Sequence, residues 1–313
     1  MDQRQRTKRF GLFVILCACA LRLLTAETFL IYLETGRNVR FSASEEEIVL
    51  HIRESPPPWV PPAEPVRFSR ADAALVEMDY DCTLRPDLEE LMEKPLDWDL
   101  TGGEPAVLIL HTHTTESYTR TGEAYAETAQ YRTLDEEYNM LSIGDTVAEI
   151  LEDAGIGVVH DRQVHDYPSY NGSYVHARTA IEEILERYPS IRLVLDLHRD
   201  AMERDGKQLR PVVDMQGEKA ARLMLVVGTN VSRQSHENWE DNLSLALKLH
   251  TQLERLCPGI MRPLNLRSQR FNQDLSPGAL LVEVGTAGNT HAEALAAAGA
   301  LGEVVAALAK GTE

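Results

Sequence analysis

Cysteine is scarce: four residues in 313, of which Cys17 and Cys19 fall in an apolar N-terminal run and leave Cys82 and Cys257 without any CxxC spacing. A disulfide scaffold and a cysteine zinc or redox motif are thereby excluded. Basic charge is also in short supply, with 31 Lys and Arg against 49 Asp and Glu, a formal net charge of −18. A polyanion such as DNA would be repelled by most of such a surface, so the chain is not expected to bind nucleic acid. HExxH, GxGxxG and GxxxxGK[ST] are missing, which removes zincins and the usual nucleotide loops. So is the G-x-S-x-G elbow of a serine hydrolase. No internal repeat of solenoid or propeller length is present. Hydrophobic residues, at 43%, are plentiful enough for a sizeable core and rule out disorder of the whole chain.

The N-terminus carries Arg4, Arg6, Lys8 and Arg9 ahead of an apolar run, GLFVILCACALRLL, broken only by Arg22. A charged stretch before a hydrophobic one is the export pattern. The run is short for a bilayer span of about 20 residues, but the chain stays apolar through residues 28–33. A cleaved signal and an uncleaved anchor both fit; the weak cleavage signal at Leu24-Thr25-Ala26 favours a single-pass anchor over residues 1–33, basic end inside. The remaining chain, net charge −21, would then be extracytoplasmic. Residues 34–103 show no long periodic segment. Six of the 15 prolines lie between Pro56 and Pro65, so this stretch is expected to be an extended, Pro-rich stalk, with short helices near 71–78 and 87–92.

From residue 104 onward apolar runs alternate with helical patterns. Strands are expected at 106–110 (AVLIL), 157–160, 191–197 (IRLVLDL), 221–228 and 280–284. Helices are expected at 134–154, 173–188, 238–256 and 291–308. Strands separated by helices of this length imply right-handed crossovers and an α/β fold: a mostly parallel twisted sheet with helices on both faces. Ligands of such sheets collect at the carboxyl ends of strands. There stand His111, His113 and Glu116 after the first run, Asp196, His198, Arg199 and Asp200 at the end of the third, and Glu283 inside the last. Histidines and carboxylates converging from separate strands suit a catalytic zinc, which takes three protein ligands and one water. Glu283 needs a partner or a metal, because an ionised carboxylate in an apolar strand costs several kcal/mol. Asp196 could orient His198. Two histidines on an extended segment would share one face, so His111 and His113 compete for the ligand role.

The phrases HTHTTESYT (111–119), DYPSYNGSYVHAR (166–178), VLDLHRDA (194–201) and QDLSPGALLVEVGTAGNT (273–290) closely resemble the stage II sporulation protein P family. That resemblance implies a zinc-dependent N-acetylmuramoyl-L-alanine amidase fold over residues 104–313. It also implies peptidoglycan degradation at the septum and engulfing membrane during endospore formation, beside a lytic transglycosylase and a membrane scaffold. Cleavage of the stem-peptide cross-link is a further activity it implies. Carried over by position, the zinc ligands are His113, Glu116 and His198, with His111 as an alternative to the first and Glu136 or Glu137 as alternatives to the second. Glu283 becomes the general acid and base. Arg199, which follows His198, could bind a stem-peptide carboxylate or stabilise the oxyanion, or else form a salt bridge with Asp200 or another surface acid. The alternative from another class is a non-catalytic, anchored wall-binding or scaffold protein.

Overall fold

The computed structural model describes residues 65–119, 131–232 and 235–312, together with the backbone of three strands between 29 and 52. Residues 1–28 of the membrane segment expected over 1–33, and the polyproline stretch at 56–64, lie outside the described residues. No helix among the described residues is long and apolar enough to cross a membrane. The chain divides into two compact units, residues 1–59 and 60–313. In the first, β1 (Phe29–Leu33), β2 (Arg37–Ser44) and β3 (Glu47–Ile52) form an antiparallel meander, with Phe29 opposite Phe41 and Val39 opposite Ile52. Residues 29–33, expected to end the membrane segment, are thus a strand, and part of the expected stalk is sheet.

In the second unit the elements run β4 (Met78–Asp81), α1 (Leu88–Glu93), β5 (Pro105–Leu110), α2 (Met140–Asp153), β6 (Gly157–His160), α3 (Ser173–Arg187) and β7 (Leu193–Asp200). Two small hairpins follow, β8 (Glu203–Arg204) with β9 (Lys207–Gln208) and β10 (Val212–Met215) with β11 (Glu218–Ala221). Then come β12 (Leu223–Gly228), α4 (Trp239–Leu256), β13 (Leu264–Arg267), β14 (Ala279–Thr286) and α5 (His291–Ala307). Seven strands build one sheet in the order β4-β13-β12-β14-β7-β5-β6. Only the β12–β14 pairing is antiparallel, so the sheet is mostly parallel, as the alternating pattern implies.

The connections explain where a site can form. From β5 the chain passes through α2 to β6, one place outward; from β6 it passes through α3 back across β5 to β7. Right-handed crossovers in opposite directions put α2 and α3 on opposite faces. Leu108, Leu110 and Val194 accordingly pack with Ala177 and Ile181 of α3. Leu108, Ile109, Leu110, Leu195 and Leu197 are fully buried, and each contributes about 1.5–3 kcal/mol of transfer free energy. Strand order reverses at β5 and β7, which leaves a crevice at their carboxyl ends.

Two expectations are corrected. The helix predicted from residue 134 begins at Met140, because the Asn139 side chain accepts a hydrogen bond from Leu141 N at 2.9 Å and caps it there. The boundary placed at residue 103 falls inside the folded unit: β4 is an edge strand paired in parallel with β13, and α1 packs on α4. Four residues with a half-buried alternation are too short a signal to separate from loop. The short helices expected near 71–78 and 87–92 are present as a 3₁₀ turn at Arg70–Leu75 and as α1.

Candidate active site

β5 ends at Leu110, and residues 112–115 turn away instead of continuing as strand. That turn is pinned twice. Asp196 accepts from Thr112 N at 2.8 Å and Thr112 Oγ1 at 2.6 Å; Asp166 accepts from Thr115 N at 3.1 Å and Thr115 Oγ1 at 2.6 Å. Past the turn, the buried Tyr118 hydroxyl donates to Val284 O at 2.9 Å, tying the segment to the residue after Glu283. β14 carries a bulge between Glu283 and Thr286, where Gly285 takes φ +71° against Ala221 and Asn289.

The turn separates the two histidines. Strand alternation stops at Leu110, so His111 and His113 do not share a face. His111 is fully buried: its Nδ1–H donates to Leu197 O at 3.1 Å and its Nε2 lies 2.9 Å from Nε2 of His160. Burial drives its pKa down to about 3, so it is neutral and accepts from His160, whose other nitrogen is 3.0 Å from Asp145 Oδ1. His111 therefore braces the backbone beside His198 and is not placed as an alternative ligand. Glu136 pairs with Arg162 at 2.8 Å and Glu137 is exposed, both outside the crevice.

His113, Glu116, His198 and Glu283 come together. The rings of His113 and His198 meet edge to face with centroids 5.3 Å apart. Nδ1 of His198 lies 3.7 Å from Glu116 Oε2, and Nε2 lies 3.0 Å from Asp196 Oδ1, close but without hydrogen-bond alignment. Glu283 stands in register opposite His198 on the neighbouring strand, its Oε2 buried without a hydrogen-bond partner. Burial raises the Glu283 pKa to about 8, with Asp200 and Glu116 adding to the rise and His198 and Arg199 opposing it. For His198, burial works downward but Asp196 and Glu116 lift the pKa to about 9; His113, with burial dominant, falls to about 4.

Arg199 faces Glu116 and not Asp200, which pairs with Arg262 at 2.7 Å. Its Nε donates to Ser117 O at 3.1 Å, a terminal nitrogen donates to Tyr131 O at 2.8 Å, and its backbone N–H donates to Glu116 Oε2 at 3.1 Å. It is a positioning residue for Glu116. Three residues outside the predicted catalytic set complete the wall. Tyr170 stacks on His113 at 4.5 Å, Tyr174 meets the same ring edge-on at 5.5 Å, and the Arg132 guanidinium lies 4.7 Å from the Tyr170 centroid. Arg132 also pairs with Asp166 at 2.5 Å and Glu116 at 3.3 Å. Tyr170 and Tyr174 lie in the phrase DYPSYNGSYVHAR that carries the family resemblance, whereas nothing in the sequence marks Arg132.

The expected zinc set, His113, Glu116 and His198, can be tested against these contacts. Among the described residues, no three His, Cys, Asp or Glu side chains are arranged to hold a metal ion. As placed, His198 faces two carboxylates, Ser173 Oγ and His113 Nδ1 are hydrogen-bonded at 3.3 Å, and Glu116 is gripped by Arg199 and Arg132. The donor chemistry nonetheless fits a divalent cation: an imidazole and a carboxylate from the turn after β5 and a second imidazole from β7, with His198 Nε2 and Glu283 Oε2 buried and unsatisfied.

Stage II sporulation protein P of Bacillus subtilis (strain 168) is 27% identical over 257 residues, 78% of this chain; the chain spans 60% of that relative's length. Among solved structures, the chain is similar to the N-acetylmuramyl-L-alanine amidase Ami1 from Mycobacterium smegmatis, with TM-score 0.40, 15% identity and coverage of 66% of this chain and 97% of that one. It is similar also to the N-acetylmuramoyl-L-alanine amidase from Clostridium difficile 630, with TM-score 0.39, 17% identity and coverage of 66% and 96%. Residues 53–306 match the family described as stage II sporulation protein P, and the chain belongs to that family.

Proposed function

We propose that the protein is a peptidoglycan hydrolase of sporulation that cleaves the amide joining the lactyl group of N-acetylmuramic acid to L-alanine. Family membership supports the setting. The single observation that carries the chemistry is Glu283: a buried carboxyl with an unsatisfied oxygen and a pKa near 8, held in register opposite His198.

A zinc ion, held by His113, Glu116 and His198, would supply Lewis acidity, polarising the scissile carbonyl and bringing the pKa of water to about 7. Glu283 takes a proton from the attacking water and passes it to the departing amine, which leaves poorly unless protonated. A carboxyl with its pKa raised toward neutrality is matched to both transfers. Asp196 orients His198 and clamps Thr112; Arg199 and Arg132 hold Glu116. Tyr170 and Tyr174 cover His113 from two sides, limiting the water that reaches it.

The proposal extends to location and partners. The basic and apolar stretch ahead of β1 anchors the chain in the membrane with the hydrolase outside the cytoplasm, where it works on septal peptidoglycan beside a lytic transglycosylase and a membrane scaffold. Cleavage of the stem-peptide cross-link by the same site is a second activity within this reading. One observation favours a different one, an anchored wall-binding protein without catalysis: the would-be ligands are engaged by protein groups, and no three of them are arranged around a metal.

Digestion of purified peptidoglycan by the full chain, followed by mass analysis, separates these readings. Amidase action releases intact peptides and leaves free lactyl carboxyls; cross-link cleavage leaves the lactyl amide whole; a binding protein yields neither product.

A further inference from the structure

Beside the His113 stack lies a cleft of about 430 Å³ lined by Tyr131, Arg132, Tyr170, Arg199, Gln208 and two alanines. It has no acidic residue in its lining, in a chain of net charge −18. Two features of it face a ligand. Arg132, whose side chain is 20% exposed, gives three of its five N–H groups to Thr115, Asp166 and Glu116 and makes no protein hydrogen bond among the described residues with Nε–H or the remaining terminal N–H. The Gln208 side-chain oxygen is buried with no donor, and native proteins rarely leave a buried acceptor unpaired unless water or a ligand pairs it. Tyr170, more than half exposed at 54%, offers an aromatic face between the cleft and His113. Tyr131, at the cleft wall, is held at φ +49°, a left-handed conformation that costs of order 1 kcal/mol for a residue of this size.

Donors lacking an acceptor and an acceptor lacking a donor describe their complement: a carboxylate next to an amide N–H. We propose that this cleft is the peptide subsite of the enzyme, in which Arg132 takes a free carboxylate of the stem peptide and Gln208 accepts from a neighbouring peptide N–H. The assignment rests on the amidase reading and adds a direction to it. The peptide leaves on the Arg132 and Gln208 side of His113, so the glycan strand occupies the other side. Peptides whose carboxylates are amidated are then poor ligands, because they lose the charge-assisted hydrogen bond that distinguishes the site.

The test uses the full chain and two synthetic stem tripeptides, one with free carboxylates and one fully amidated, with binding measured by calorimetry and hydrolysis on the matching muramoyl peptides. The free-carboxylate peptide is expected to bind at least about tenfold more tightly, the scale of one hydrogen bond to a charged group. Gln208→Glu sets a like charge beside the ligand and should abolish that preference. It should raise KM for the carboxylate substrate about tenfold more than KM for the amidated one, a split that loss of folding would not produce. Gln208→Leu, which removes the acceptor without adding charge, should weaken both peptides. Equal binding of the two peptides, or Gln208 variants that bind as the natural protein does, would overturn the subsite. Wall hydrolysis without carboxylate preference removes the subsite and spares the amidase; carboxylate-selective binding without hydrolysis supports the subsite and removes the amidase.

Discussion

Three helical glycines make a graded test of how the crevice is braced. A Cβ added at Gly144 in α2 would stand 2.5 Å from Nε2 of His160 and 2.6 Å from Nε2 of His111; at Gly302 in α5 it would meet Ile150 at 3.1 Å; at Gly299 the nearest atom is Ile150 Cδ1 at 4.0 Å. Alanine in place of glycine inside a helix gains about 0.8–1 kcal/mol of propensity at each position. Nothing opposes that gain at Gly299, so Gly299→Ala should stabilise by nearly the full amount. At Gly302 a few tenths of an ångström of crowding should cancel much of it. At Gly144 the rings would have to retreat by close to 1 Å, and neither is a free side-chain end, since Leu197 O holds one and Asp145 the other. Overpacking costs about 1–3 kcal/mol, and loss of the His111–His160 hydrogen bond adds about 1 kcal/mol. Crowding wins, for a net loss of about 1–3 kcal/mol after the propensity gain. Urea unfolding at constant m would read the series as shifts in midpoint. Gly144→Ala should also lower wall hydrolysis, because His111 grips the carbonyl that precedes His198. A Gly144→Ala protein as stable as the natural one would refute the description of this packing.

The remaining expectations concern buried charge. Lys248, 1% exposed, has no carboxylate partner; its Nζ donates to Leu91 O at 3.0 Å and Ser244 Oγ at 2.9 Å, and burial lowers its pKa from 10.5 to about 8. Between those two values the unfolded chain holds a proton the folded one has released, so stability contributed by this group rises with pH, by about 3 kcal/mol across the window. Lys248→Met should remove that slope, as the difference between variant and natural protein in unfolding midpoints from pH 7 to 10.5. Asp196→Ala strips the acceptor from Thr112 and the counter-charge from His198, and should destabilise by about 3 kcal/mol; a loss under 1 kcal/mol in the same unfolding assay would mean that the turn after β5 is held by other contacts.

Much of this architecture is legible in the sequence, for a physical reason. AVLIL, IRLVLDL and LLVEVG are buried strands whose continuous apolar runs leave little room for another reading, and β5, β7 and β14 lie where those runs predict. Polar residues at their ends are costly to bury, which is why His113, His198 and Glu283 stand out. β4 and β13 are four residues each and owe their strand pairing to neighbours distant in the chain, so nothing local marks them. The roles of His111 and Arg199 depended on where β5 turns and on which carboxylate lies across the crevice, Glu116 and not Asp200. Those are long-range facts. Arg132 and Gln208 come from a turn and a hairpin with no periodic pattern, and only the fold brings them to one cleft.

If His113, Glu116 and His198 hold one divalent ion on which Glu283 acts, the zinc content of the purified full chain will show it. The natural protein should carry one zinc per chain, Glu283→Gln the same with wall hydrolysis abolished, and His198→Ala none. A natural protein that binds no zinc, or that digests the wall at full rate after exhaustive chelation, would contradict it.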